Sequence, residues 1–253
     1  MPSVPAQKAH DLGDFAAFLR RLGDAGFDFA VIGGCAVAAY AHLIGEELKS
    51  VDLDVYVTPK TLSELLEWAP RQGIRVVKRP RPRNIPVAVL EADGLEIDAL
   101  TSSTGLPRPE VVARTAREFV LASHGGLEVP LADPFDLLAN KLAVGRDKDR
   151  PHVEILRRFV EEEAVTAFVE EESPRARLAP ARQLVEALGR EALPAALADR
   201  LIALARTPAD HRFLVNRVPT EAQARRVLEG VEDGDLRSQL ESILARRRFD
   251  APG

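Results

Sequence analysis

The spacing of apolar residues divides the first part of the chain into short helices and strands. Apolar residues at helical spacing predict a helix over 11–25, which Gly26 ends. A short apolar run predicts a strand over 27–32, and the small apolar residues after it predict a helix over 35–43. Residues 51–57 alternate between apolar and polar, so they predict a further strand.

Similar patterns continue to about residue 147. Thr58-Pro59 and Asp133-Pro134 each join a capping side chain to a first-turn proline, which predicts the start of a helix at both places. Short glycine-containing turns separate paired apolar runs and predict two β-hairpins. The predicted elements are a helix over 59–72, a strand over 74–78, hairpins over 85–100 and 119–131, a helical turn over 110–117 and a helix over 133–145.

The pattern changes after residue 147, because almost everything from 151 to 249 predicts helix. The breaks in this helical region fall near Ser173, Gly189, Thr207 and Pro219. The chain is therefore predicted to be α+β, with a mixed or antiparallel sheet and flanking helices, followed by an α-helical domain. The predicted domains are 1–147 and 148–253.

Charge and composition limit the classes of partner. The 253 residues carry 34 Lys and Arg against 39 Asp and Glu, which argues against a protein that coats nucleic acid by charge alone. Arginine is clustered in Arg79–Arg83, where the intervening prolines predict an exposed basic loop. Cys35 is the single cysteine, so no internal disulfide forms, and no apolar run reaches the length of a membrane span. These features predict a soluble cytoplasmic protein with no membrane partner.

Three aspartates and two glycines form the candidate chemical site. Asp52 and Asp54 lie two residues apart on a predicted strand, so their carboxylates project from the same face. Asp98 lies in the apolar run LEIDAL, where a buried carboxylate is costly without a cation. Clustered carboxylates suit Mg²⁺, and two such ions serve in-line transfer at phosphorus. Gly33-Gly34 opens a predicted helix and can present backbone N–H groups to a phosphate.

The order of these features resembles the nucleotidyltransferase superfamily of the DNA polymerase beta type. The matching features are a strand, Gly33-Gly34, a helix, then Ser50-x-Asp52-x-Asp54 and a later strand with Asp98. Within the superfamily the chain looks most like the toxin-type enzymes related to the AbiEii family and the small minimal nucleotidyltransferases. The segment LLANKLAVGRDKDRPHVEIL is similar to the segment that follows the core in those enzymes, and the resemblance covers about residues 25–157.

The chain departs from the family pattern at two neighbouring positions. Gly33-Gly34 stands where Gly-Ser is common, so no side-chain hydroxyl at that position can contact the phosphate. Cys35 stands where Ser or Thr is common in some branches. The three aspartates are intact by type and order, so the resemblance still implies an active enzyme.

The resemblance implies Mg²⁺-dependent transfer of a nucleoside monophosphate from an NTP such as ATP to an acceptor hydroxyl. The implied catalytic and metal-binding residues are Asp52, Asp54 and Asp98, the last of which also assists deprotonation of the hydroxyl. The implied nucleotide-binding residues are Gly33, Gly34, Ser50 and Lys141. The implied acceptor is RNA such as tRNA, or a protein, and a toxin-type enzyme would have an antitoxin partner.

Other functions fit parts of the pattern. Related resistance enzymes share the core, so a small-molecule acceptor such as an aminoglycoside or lincosamide antibiotic is an alternative. A non-catalytic interaction protein on the same scaffold is another. A Rossmann dinucleotide site fits less well, because the third glycine of GxGxxG is missing and hairpins replace further βαβ units. Lys141 has an alternative as well, an exposed position on a helix whose Leu137, Leu138 and Leu142 face the core.

Overall fold

The computed structural model of the chain describes residues 8–80 and 87–249. Its contacts divide the chain into two compact units, residues 1–156 and 157–253. This division falls inside the helix Arg150–Glu170 (α6), where contacts alone do not mark a domain boundary. The predicted boundary after residue 147 therefore stays a prediction. In the described ranges, no helix combines the length and the apolar character needed to cross a membrane.

The first unit contains seven strands and the helices that flank them. The strands are β1 (Ala30–Ile32), β2 (Leu53–Tyr56), β3 (Arg75–Lys78), β4 (Val87–Ala92), β5 (Leu95–Leu100), β6 (Arg117–Leu121) and β7 (Leu127–Leu131). The helices before α6 are α1 (Ala16–Asp24), α2 (Gly33–Leu43), α3 (Pro59–Trp68), α4 (Pro109–Thr115) and α5 (Pro134–Val144). Short 3₁₀ turns cover Leu12–Phe15, Ala69–Gln72, Ala122–His124 and Asp147–Asp149.

The strands form one mixed sheet in the order β3-β4-β5-β2-β1-β7-β6. The pairs β2–β5 and β1–β7 are parallel, and the other pairs are antiparallel. Central strands are apolar, since Val31, Leu53, Val55 and Ile97 are fully buried. Helix α2 packs on β1 and β2 with small residues, which let a helix lie close to a sheet. The predicted α+β fold with a mixed sheet is confirmed.

Local chemistry explains several of the boundaries. The Thr58 hydroxyl accepts the backbone N–H of Thr61 at 3.0 Å, and Asp133 accepts that of Phe135 at 2.9 Å, so both predicted caps are present. The β4–β5 turn places Asp93 at φ 54° and Gly94 at φ 80°. Positive φ at both central residues is the geometry that a tight hairpin requires.

Some predicted elements are shorter or lie differently. The first strand begins at Ala30 rather than at residue 27, and the second covers Leu53–Tyr56, so Asp52 precedes the strand instead of lying on it. Leu142 was predicted to face the core and is 40% exposed. The predicted basic loop Arg79–Arg83 lies mostly outside the described residues.

The second unit is helical, as predicted. After α6 it contains α7 (Pro174–Ala187), α8 (Ala195–Leu204), α9 (Pro208–Arg217), α10 (Glu221–Glu229) and α11 (Gly234–Arg246). Ser173 and Thr207 are N-caps of their helices, and Gly189 has a left-handed φ of 58° after α7. The guanidinium of Arg177 donates to the carboxylate of Asp210 at 3.0 Å, and both side chains are buried. This pair ties α7 to α9 inside the unit.

Candidate active site

Strand register brings the glycine turn and two of the aspartates to the same place. Ile32, the last residue of β1, is the antiparallel partner of Asp54 on β2. Asp54 is in turn the parallel partner of Asp98 on β5. Neighbouring strands lie about 4.8 Å apart, so the three positions form a row across the sheet. Gly33 follows Ile32 directly, which puts the start of α2 beside this row.

Neighbouring side chains leave no room for a Cβ at Gly33 or Gly34. Gly33 has φ 67°, and a Cβ at this position would lie 1.8 Å from Oδ2 of Asp54. A Cβ on Gly34 would lie 2.4 Å from Oγ of Ser50. The carboxylate of Asp54 and the hydroxyl of Ser50 therefore both reach the turn that opens α2, in the space that side chains would otherwise fill.

Ser50 and Asp52 are held next to this turn. The backbone N–H of Ser50 donates to the carbonyl of His10 at 2.8 Å, and that of His10 donates back at 2.6 Å. The Ser50 hydroxyl donates to Oδ1 of Asp52 at 3.2 Å. Asp52 raises the pKa of both Asp54 and Asp98, so its charge acts on both although it lies off the strand.

The carboxylates carry negative charge that their surroundings do not balance. Burial, followed by the charges of Asp52 and Asp98, raises the pKa of Asp54 to about 7. Burial, followed by Asp52 and Glu96, raises the pKa of Asp98 to about 6. Two neighbouring carboxylates with pKa values this close to neutrality favour binding of either a proton or a cation.

The donor atoms fit a divalent cation that keeps part of its water shell. Oδ1 of Asp98 is buried and has no hydrogen-bond partner among the described residues. In the described ranges, no group of three or more His, Cys, Asp or Glu side chains is arranged to hold a metal ion. Asp54 and Asp98 are register partners and can supply two ligand groups, and Mg²⁺ usually completes its coordination with water.

Two cations share one buried carboxylate close to the candidate site. Lys141 on α5 is 4% exposed, and its Nζ is 3.4 Å from Oδ1 of Asp149. Arg146 donates from Nε to Oδ2 of the same carboxylate at 2.7 Å. Lys141 and Arg146 both lower the pKa of Asp54, so their positive charge reaches the candidate site. The alternative of an exposed Lys141 is wrong.

His152 places this cluster against the turn. Its Cε1 lies 3.8 Å from the position of a Cβ on Gly34, and its Nδ1 lies 3.4 Å from Oδ1 of Asp149. Burial, followed by the charge of Lys141, lowers the pKa of His152. The imidazole is therefore neutral at pH 7 and does not add to the positive charge.

Cys35 takes no part as a nucleophile. Its thiol donates to the backbone carbonyl of Asp52 at 3.2 Å. Burial, followed by the charges of Asp54 and Asp52, raises the pKa of the thiol far above its ordinary value. Only a thiolate reacts readily, so Cys35 serves as a packed residue at the start of α2.

One cavity of the first unit lies away from the carboxylates. It measures about 590 Å³, and Asp11, His42, Phe119 and His124 are among the residues that line it. None of the seven predicted site residues belongs to its lining. The candidate site is therefore identified by its charges and its glycine turn, and not by this cavity.

Sequence reasoning singled out Lys141 in this segment but missed the central position of Asp149. The carboxylate of Asp149 is 2% exposed and joins the side chains of Arg146, Lys141 and His152. The available signal was the charged run from Arg146 to His152, which follows the left-handed Gly145 that ends α5. A charged run normally indicates solvent exposure, so burial of one member was not predicted.

Comparisons with known proteins find similarity only among solved structures. No protein-family model matches the chain, and no curated protein matches it. A Thermotoga maritima protein classed provisionally as a nucleotidyltransferase is 16% identical, with TM-score 0.40, covering 60% of this chain and 97% of that one. The antigenic nucleotidyltransferase-like protein of Paracoccidioides brasiliensis is 15% identical, with TM-score 0.35, covering 86% of this chain and 100% of that one.

A third similar structure is the antibiotic-resistance factor ANT(2'')-Ia in complex with adenylyl-2''-tobramycin. It is 15% identical with TM-score 0.41, and the alignment covers 66% of this chain and 93% of that one. The predicted AbiEii-like subtype stays a prediction.

Proposed function

We propose that the protein is a nucleotidyltransferase that moves a nucleoside monophosphate from an NTP to an acceptor hydroxyl with Mg²⁺. One observation carries this proposal. The carboxylate of Asp54 lies between the glycine turn at Gly33 and its strand partner Asp98, whose Oδ1 has no partner among the described residues. A turn able to bind phosphate lies beside two carboxylates whose negative charge is only partly balanced. This combination suits chemistry on a nucleoside triphosphate.

The triphosphate would lie at the N-terminus of α2. Backbone N–H groups in the first turn of a helix are free to donate, and the helix dipole favours negative charge there. Gly33 and Gly34 leave room for close approach, and Ser50 presents its hydroxyl to the same turn. Lys141 and Arg146 add positive charge, and their shared partner Asp149 fixes their positions.

The transfer itself forms one bond and breaks another. The acceptor oxygen bonds to the α-phosphorus, the bond from that phosphorus to the α–β bridging oxygen breaks, and pyrophosphate leaves. The acceptor hydroxyl proton needs a base, and Asp98, with a pKa of about 6, takes it. Asp54 and Asp98, with Asp52 close by, would hold Mg²⁺, which when bound neutralises phosphate charge.

Binding of Mn²⁺, a paramagnetic substitute for Mg²⁺, tests the site before any acceptor is known. Titration of the whole protein followed by electron paramagnetic resonance is expected to show a site that Asp54→Asn and Asp98→Asn each weaken at least tenfold. The matched control is Glu118→Gln, which removes one negative charge from the exposed face of β6. Equal affinity in all four proteins would refute the proposed metal site.

Calorimetric titration of the four NTPs in Mg²⁺ buffer then tests the nucleotide site. Wild type is expected to bind one NTP preferentially, and Lys141→Met is expected to weaken that binding by roughly tenfold, since one charge-assisted contact is worth about 1.4 kcal/mol. Asp54→Asn is expected to remove the Mg²⁺ dependence. NTP binding that is identical with Mg²⁺ and with EDTA would contradict the mechanism.

One observation favours a second function, a non-catalytic interaction protein on the same scaffold. The described residues contain no arrangement of three or more side chains suited to hold a metal. A scaffold of this kind would bind neither Mn²⁺ nor NTP. The Mn²⁺ titration therefore separates the two functions.

A further inference from the structure

His152, in the first turn of α6, has ring nitrogens without hydrogen bonds among the described residues. Nδ1 is fully buried. It lies 3.4 Å from Oδ1 of Asp149, within ion-pair distance but without the geometry of a hydrogen bond. Buried polar atoms in folded proteins nearly always have a hydrogen-bond partner, so this imidazole needs an explanation beyond packing.

The edge of the ring that carries its nitrogens faces the glycine turn. Among the atoms of His152, Cε1 lies nearest to the position of a Cβ on Gly34, at 3.8 Å. Cε1 is bonded to both ring nitrogens, so both lie close to this edge. The side chain is 18% exposed although Nδ1 is buried. Nε2 is therefore the nitrogen that a ligand at the turn can meet.

The charged groups around the ring come from α5 and from the segment that joins α5 to α6. Lys141 lies on α5, and Arg146, Lys148 and Asp149 lie in the joining segment. Asp149 is the one anion in this set, and the glycine turn carries no charged side chain. The first turn of α6 also disfavours a positive ring, because the helix dipole is positive there. The surroundings therefore favour a neutral imidazole as long as no anion occupies the turn.

A phosphate group at the glycine turn would reverse this balance. A neutral imidazole has one N–H group, whereas an imidazolium has two. The protonated ring can therefore donate from Nδ1 to the carboxylate of Asp149 and from Nε2 to a phosphate oxygen at the same time. Hydrogen bonds between charged groups are shorter and stronger than neutral ones. A neutral ring would leave one of the two anions facing a nitrogen lone pair.

We propose that His152 takes up a proton when a nucleoside triphosphate binds, and that it then joins a phosphate oxygen to Asp149. The inference rests on the proposed function, since it adds a residue to that triphosphate site. The proton comes from solvent, and only an N–H bond forms in this step. Linkage requires the pKa of His152 to be higher in the bound state than in the free state. Between these two pKa values, the affinity for NTP increases as pH falls.

Proton NMR of the histidine Cε1–H signals measures this pKa in the whole protein. His152→Gln identifies the signal of His152 among the five histidines by its disappearance. With Mg²⁺ and the NTP that binds most tightly, the pKa is expected to rise by about one unit, which corresponds to a tenfold preference for the protonated ring. Mg²⁺ alone adds positive charge and is expected to cause no rise. An unchanged pKa with NTP bound would overturn the inference.

Calorimetry of the same NTP at pH 8 and pH 6 tests the consequence for affinity. The ratio of wild-type affinity to His152→Gln affinity is expected to increase on acidification by the factor that the two NMR pKa values require, up to about tenfold. Effects of pH on the metal and on other carboxylates are shared by both proteins and cancel in the ratio. A ratio that is equal at both pH values would overturn the inference.

The matched control is His42→Gln. His42 is exposed and lies about 12 Å along α2 from Gly34, so its ratio is expected to be independent of pH. A purely structural role of His152 would lower affinity equally at both pH values and would leave the pKa unchanged. If His152→Gln does not fold, triple-resonance NMR of labelled wild type assigns the signal without a variant, and the pKa measurement decides alone.

Inorganic tripolyphosphate, which has three phosphates but no sugar or base, separates this inference from the proposed function. Binding of NTP with Mg²⁺ but without a rise in the pKa of His152 removes this inference alone. A rise with tripolyphosphate, in a protein that binds neither Mn²⁺ nor NTP, removes the proposed function and keeps His152 in a phosphate site. No rise with either ligand overturns the inference.

Discussion

Lys141 and Asp149 form an ion pair with a separation of 3.4 Å between Nζ and Oδ1, and their side chains are 4% and 2% exposed. Burial by itself would raise the pKa of Asp149, but the hydrogen bond from Arg146 and the charge of Lys141 hold it below its ordinary value. The carboxylate is thus ionised at neutral pH. It fixes two cations beside the glycine turn, so the pair connects stability to the candidate site.

Replacement of Asp149 is expected to be strongly destabilising. Asp149→Asn leaves the ammonium of Lys141 buried without an opposite charge, which costs about 3–5 kcal/mol in comparable pairs. The control Asp147→Asn removes a carboxylate that is 89% exposed and paired with the equally exposed Arg150, so a change within about 0.5 kcal/mol is expected. Urea unfolding of the two variants measures both, and similar losses would contradict a special role for Asp149.

Gly33 is expected to tolerate no side chain. Gly33→Ala adds a Cβ 1.8 Å from Oδ2 of Asp54 and also places alanine at φ 67°, so it should lower stability and displace the carboxylate. Gly45→Ala, beyond the C-terminal end of α2, is the control. Its φ is 76° and no atom lies within 4 Å of the new Cβ, so only backbone strain of about 1–2 kcal/mol is expected there. Thermal melting gives the difference, and Mn²⁺ affinity should fall only in Gly33→Ala. A larger loss in Gly45→Ala would contradict this account.

Asp54 is expected to reduce the stability of the metal-free protein. Its pKa rises from 3.8 to about 7 on folding, so between these values the folded state binds more protons than the unfolded state. Stability therefore falls as pH rises through this window. In EDTA at pH 8, Asp54→Asn is expected to be more stable than wild type by on the order of 2–3 kcal/mol.

The gain from Asp54→Asn should shrink at pH 5, where folded Asp54 is protonated. Urea unfolding at the two pH values, in the same EDTA buffer, measures the change. A variant that is less stable than wild type at pH 8 would show that Asp54 has a stabilising partner.

The buried ion pair of Arg177 and Asp210 in the second unit predicts the opposite dependence of stability on pH. Burial alone would raise the pKa of Asp210, but backbone N–H groups of Arg206 and Thr207, together with Arg177, lower it below its ordinary value. Its contribution to stability is therefore complete above about pH 4 and lost as pH falls through the lower folded pKa. Asp210→Asn is expected to cost about 3–5 kcal/mol at pH 7 and to cost less as the pH falls below about 4.

Glu221→Gln serves as the control for Asp210→Asn. Its exposed i,i+4 partner is Arg225, and a change below about 0.5 kcal/mol is expected. Circular dichroism at 222 nm during urea unfolding at each pH follows the loss of helix. An Asp210→Asn variant that loses as much stability at pH 2 as at pH 7 would rule out an electrostatic origin.

Sequence patterns correctly predicted helix starts and a hairpin turn, which depend on contacts between residues close in the chain. Thr58 with Pro59 and Asp133 with Pro134 marked helix starts, and Asp93-Gly94 marked the hairpin turn, because each feature acts within a few residues. The order of the glycine turn and the aspartates along the chain was visible for the same reason. The start of the second strand was predicted too early. Residues 51–57 alternate between apolar and polar side chains, but the strand itself begins only at Leu53, where pairing with β5 starts.

The amino-acid sequence by itself determined the helices, most strands, the mixed α+β class and the identity of the chemical groups at the candidate site. Only the tertiary structure decided which of those groups meet. Register pairs Asp54 with Asp98, and packing buries Asp149 between Lys141 and Arg146. The physical reason is that capping and periodicity act over a few residues, whereas register and burial depend on residues far apart in the chain, as the separate strands β2 and β5 show.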